Sequence, residues 1–68
     1  MLLKELVLES LEPIGKFAIQ KHTENGGMKE EKLTDETYER FADYEIAYYF
    51  LDVDENNVPY VSVKLEEY

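Results

Sequence analysis

The sequence predicts an α+β fold: one small domain over residues 1–68, with a short central helix packed on an antiparallel sheet that includes a C-terminal β-hairpin. Three observations carry this expectation. Residues 33–42 place apolar side chains three and four apart behind a threonine suited to cap a helix. Residues 45–65 are dense in β-branched and aromatic residues, broken once by the turn-forming run Asp54-Glu55-Asn56-Asn57. Finally, 68 residues leave room for a single modest core, since a chain this short buries only about 60% of its unfolded surface. A hydrophobic content of 44% with six tyrosines and three phenylalanines is nevertheless too apolar for a disordered acidic tail.

The N-terminal segment reads two ways. Leu3, Leu6, Val7 and Leu11 fit a helical stripe, whereas Leu6 and Leu8 alternate as in a strand, so residues 2–11 are helix or strand. Glu12-Pro13-Ile14-Gly15 has the residues of a type I turn, with proline second and glycine fourth. Lys16 to His22 reads as a strand. Residues 23–33 begin with the turn signal Asn25-Gly26-Gly27, and Met28 to Leu33 alternates too poorly for a strand, which predicts a mobile loop. The central helix is expected at about 35–43, with Thr34 as N-cap, Leu33 and Tyr38 as a hydrophobic staple, and Asp35 and Glu36 at the positive end of the dipole.

The hairpin expected at 45–65 has consequences for both its faces. A two- or four-residue loop pairs even positions of the first strand with odd positions of the second. One face then carries Ile46, Tyr48, Phe50, Val61, Val63 and Leu65, an apolar core. The other carries Ala47, Tyr49, Leu51, Val53 and Tyr60, too apolar to stand in water across a whole hairpin. Either the N-terminal segment folds over this second face, or a second copy or another protein covers it. Pro59 belongs at a strand start or on an edge, where its missing N–H breaks no ladder bond.

Charge and composition remove several classes of function. Sixteen acids against seven bases give a net charge of −9, the wrong sign for direct contact with a phosphate backbone. Residues 35–68 hold ten of the acids and eight of the nine aromatics. Cysteine is absent, so no disulfide framework or thiolate zinc site is expected. Met1-Leu2-Leu3 is interrupted by Lys4-Glu5, and no run approaches the roughly 20 apolar residues of a membrane span, so the cytoplasm is the expected location. Catalysis is not expected. The single histidine, His22, borders a polar loop, neither Ser10 nor Ser62 lies in a nucleophile turn, and a carboxylate pair would need a cleft for which little volume remains.

Asp52-Val53-Asp54-Glu55-Asn56 resembles the opening of an EF-hand calcium loop, whose oxygen ligands fall at alternate positions. The resemblance covers five residues. Asn57 then stands where glycine is needed and Val63 where the bidentate glutamate should be, which leaves a hairpin turn with its acids in solvent. Asn25-Gly26-Gly27 likewise lacks the lysine and hydroxyl residue of a phosphate loop. No metal, cofactor or small-molecule substrate is expected.

What remains is a non-catalytic binding module of α+β type that recognises a protein partner, or itself as a homodimer, through its tyrosine-rich hairpin. Tyr49, Leu51, Val53 and Tyr60 are the candidate contact residues, with the strand edge near Pro59 open to strand addition. The alternative is a DNA mimic, of the kind found among phage and mobile-element accessory proteins. In that reading Glu36, Glu39, Asp43, Asp52, Asp54, Glu55, Glu66 and Glu67 imitate a phosphate array and occupy a nucleic-acid-binding cleft.

Overall fold

A computed structural model describes all 68 residues. In chain order they form α1 (Leu3–Ser10), a 3₁₀ turn (Ile14–Lys16), β1 (Phe17–His22), β2 (Met28–Lys32), α2 (Asp35–Phe41), β3 (Ile46–Val53) and β4 (Pro59–Leu65). The strands make one sheet in the order β2-β1-β4-β3. The β1–β2 and β3–β4 pairs are antiparallel, while β1 and β4 run parallel, so this α+β domain is built on a mixed sheet. α2 carries the chain from one edge of the sheet to the other, and β4 then returns to fill the centre.

The N-terminal segment is helical. Glu5 Oε1 accepts the Leu2 amide at 2.7 Å at its start, and Leu3, Leu6 and Val7 face inward. It stops at Leu11, whose φ of 60° leaves the right-handed helical region. The type I turn expected over 12–15 is displaced by one residue. Pro13 has ψ 152°, outside that turn, and the Lys16 amide closes on the Pro13 carbonyl at 3.0 Å.

Residues 23–33 are not a loop throughout. Gly26 takes φ 78° in a tight turn closed by the Thr23 amide on the Gly27 carbonyl at 2.9 Å, and Met28–Lys32 returns as β2. All five of its residues are exposed and four are charged, so no burial alternation marks it. Backbone pairing to β1, from Ala18↔Lys32 to His22↔Met28, holds it in place. α2 starts as expected, with Thr34 Oγ1 accepting the Thr37 amide at 3.3 Å, and ends at Phe41, short of residue 43.

The hairpin differs from expectation in its parity. The β3–β4 loop is Asp54–Val58, five residues, closed by the Asp54 amide on the Val58 carbonyl at 3.0 Å. An odd loop pairs like with like, giving Tyr48↔Lys64, Tyr49↔Val63, Phe50↔Ser62 and Leu51↔Val61. Tyr48 and Phe50 therefore leave the predicted core face, and Tyr49 and Leu51 replace them beside Val63 and Val61. A bulge between Ile46 and Tyr48 keeps Ile46 on the core side, opposite Leu65. Both helices lie on this face. Leu3, Leu6 and Val7 of α1 and Phe41 of α2 pack with Phe17, Ile19, Val63 and Leu65 over the two inner strands. Fully burying each such side chain contributes roughly 1.5–3 kcal/mol. No helix is long and apolar enough to cross a membrane.

Candidate interaction surface

The helices cover the middle of the sheet and leave β3 bare. α1 and α2 have eight and seven residues, lengths of roughly 12 and 10 Å. Leu51 is 78% exposed and Tyr49 50%, although both point to the helix side. On the other side, Tyr48 and Phe50 are exposed and stack on each other, with ring centroids 6.4 Å apart. The N-terminal helix thus does not close over the second hairpin face. It stops beside it, leaving a groove of about 310 Å³ lined by Leu6, Glu9 and Ser10 on one flank and Tyr49, Leu51 and Val61 on the other.

β3 is also an edge strand with free backbone. Because the Asp54 amide bonds to Val58, the even-numbered residues of β3 past the bulge, Tyr48, Phe50 and Asp52, turn their N–H and C=O toward β4. Those of Tyr49, Leu51 and Val53 then point outward, and the Val53 amide finds only the Asp52 carboxylate, at 2.8 Å. At the start of the strand the outer edge is taken: Ile46 donates to the Met1 carbonyl at 2.8 Å and Leu3 to the Tyr44 carbonyl at 3.0 Å. Between Met1 and the turn at Asp54 nothing pairs with it. The opposite edge, β2, is guarded by Lys29, Glu30, Glu31 and Lys32, as exposed edges usually are. β3 carries one charge, Asp52.

The four candidate contact residues do not form one patch. Tyr49, Leu51 and Val53 share the helix side of β3, but Tyr60 pairs with Asp52 and lies on the other face. There its hydroxyl donates to Glu30 Oε1 at 2.7 Å, and this bond, ahead of burial, pushes the phenol pKa up to about 12. Glu30 also accepts from Ser62 Oγ, which in turn accepts from Gln20 Nε2 at 2.9 Å. The network joins β1, β2 and β4 across the helix-free face and satisfies the buried Gln20 and Ser62. Ala18, between Lys32 and Ser62, is small enough for Glu30 to reach across. Nor is the edge near Pro59 open, because β4 lies between β1 and β3; Pro59 is its first residue, opposite Val53.

Of the acidic candidates, Asp43, Glu66 and Glu67 line one hollow together with Glu45, and the others are spread over α2, the β3 edge and the hairpin turn. Glu36 and Glu39 are exposed on α2, and Asp43 pairs with Lys4 at 2.7 Å. Glu66 and Glu67 sit past one end of β4 and Asp54 and Glu55 before the other, some 20 Å apart for a seven-residue strand. Asp52 lies on the β3 edge. Asp54 Oδ1 accepts the Asn56 amide at 2.8 Å and the Val58 amide at 2.9 Å, and the Val58 bond is the main reason its carboxyl titrates below the ordinary range. Its oxygen serves the turn. The structure brings no three His, Cys, Asp or Glu side chains together in a metal-binding arrangement. Ser62 is fully buried and His22 is exposed at the far end of β1.

Tyr48 and Phe50, expected in the core, are exposed because the hairpin loop has five residues; no local signal in the sequence marks Glu30. No family model matches the chain, and neither a curated protein nor a solved structure matches it.

Proposed function

We propose that this chain is a non-catalytic protein-binding module whose recognition element is the edge strand β3. The observation that carries the reading is the unpaired outer edge of Ala47–Val53 with exposed apolar side chains on both faces, in a sheet whose other edge is charged. An extended segment added to this edge would gain main-chain bonds from Tyr49 and Leu51. Its side chains would fall alternately into the α1 groove and beside the Tyr48–Phe50 stack. Tyrosine suits such a role, burying a large area at low rotamer cost.

Leu51→Pro tests this selectively. It deletes an N–H that points outward, so the β3–β4 ladder stays intact while strand addition is blocked. Tagged wild-type and variant chains are used to capture partners from nuclease-treated lysate at about 50 and about 500 mM salt. A partner held at both salts by the wild type and lost by Leu51→Pro supports the reading. A partner held equally by both chains and lost at high salt overturns it in favour of the surface carboxylates and phosphate mimicry.

A further inference from the structure

The geometry points to a second copy of this chain as an occupant of the β3 edge. Two β3 strands would pair antiparallel about a two-fold axis through Phe50, joining two sheets into one of eight strands. The inference rests on the reading of β3 as the recognition element and specifies its partner and register.

The free edge is self-complementary in length. It is bounded by Ile46, whose amide is taken by Met1, and by Asp54, whose amide turns back to Val58. Phe50 is the midpoint between these limits. An antiparallel mate centred there pairs Tyr48 with Asp52 and Tyr49 with Leu51, within the regular part of the strand and clear of the bulge at Ala47, of Met1 and of the turn. The hydrogen-bonding parity agrees. Tyr49 and Leu51, both with outward N–H and C=O, fall opposite each other in the two copies and exchange two bonds at each of two sites. Phe50 meets Phe50 of the second copy at a non-bonded pair, where side chains approach most closely.

The chemistry of the pairs agrees as well. Tyr49 lies against Leu51 and Phe50 against Phe50. Asp52, the strand's only charge, falls opposite Tyr48, whose hydroxyl makes just a 3.5 Å contact with Gln20 and can donate to the carboxylate. A net charge of −9 opposes self-association over most of the surface. This strand lets two copies meet without setting acid against acid. Pairing along one edge of about 23 Å gives an interface at the small end of the specific range, so a reversible dimer at micromolar concentration is expected.

The chain has no cysteine, so Phe50→Cys reads the register directly. At a non-bonded antiparallel pair the Cα atoms stand about 4.5 Å apart, within disulfide range. The expected results are a mass rising from 8.0 kDa toward twice that value with concentration in sedimentation equilibrium, and a Phe50→Cys dimer forming under mild oxidation much faster than a Met28→Cys control on the β2 edge. Phe50→Asp, which sets two carboxylates on the axis, should weaken the dimer at least about tenfold. A chain of 8.0 kDa at every concentration, with Phe50→Cys oxidising no faster than the control, overturns the dimer. If Leu51→Pro nevertheless abolishes capture of another protein, strand recognition stands with a different partner. If it abolishes nothing, both fall.

Discussion

The Tyr60 hydroxyl donates to Glu30 Oε1 at 2.7 Å, tying the central strand β4 to the edge strand β2 across the small side chain of Ala18. Two residues thirty apart, one in a stretch without strand signal, hold the helix-free face together.

This contact sets an alkaline limit. The Tyr60 phenol titrates at about 12 in the folded chain against an ordinary 10.0. The protonated phenol therefore contributes stability that is fully present below pH 10 and lost as pH rises from about 10 to 12. Tyr60→Phe should lower the thermal midpoint at pH 8 and flatten its fall over that interval. In a titration of tyrosinate absorbance, one of the six tyrosines should ionise late in the wild type. A wild-type curve without a late component counts against the contact.

Ser62, fully buried, links the buried Gln20 to Glu30. Ser62→Ala leaves the buried Gln20 amide without its acceptor and should cost about 1–3 kcal/mol in urea unfolding. Adding Gln20→Leu should recover part of that loss, because the orphaned donor goes with it. Additive losses in the double mutant would mean the two side chains are not coupled.

Leu11 ends α1 at φ 60°, a conformation that costs a side-chain-bearing residue about 1–2 kcal/mol. It is 92% exposed, so little packing is lost on truncation. Leu11→Gly should stabilise the domain by about 0.5–1 kcal/mol once the greater freedom of the unfolded glycine is subtracted. A lower urea midpoint would show that Leu11 makes a contact of consequence.

Asp54 sets the acid limit of the hairpin. Its carboxyl is held below its ordinary 3.8 chiefly by the Val58 amide, so its contribution is present above that value and lost as pH falls through it. Asp54→Ala should lower the thermal midpoint at pH 7 and reduce the further loss as pH falls below the ordinary 3.8. An unchanged midpoint at pH 7 would show that the turn closes without this side chain.

Residues, order and approximate extent of most elements were legible along the chain. Thr34 capping α2, a strand over Phe17–His22 and two strands flanking Asp54–Asn57 follow from chemistry within a few residues of each position. β2 was not legible, because an exposed charged edge is held by its neighbour's backbone and leaves no apolar pattern.

Local residue chemistry by itself determined that the chain would form a small α+β domain with an apolar, tyrosine-rich hairpin. Tertiary structure alone decided which side of that hairpin meets the core, that α1 is a helix ending beside β3, and that β3 rather than β4 is the edge. The reason lies in the period of a strand. Side chains alternate every residue, so a fifth loop residue exchanged the faces of Tyr48, Tyr49, Phe50 and Leu51 without altering either strand's composition. Pairing partners and strand order depend on contacts between distant segments, and these form only once the core has closed.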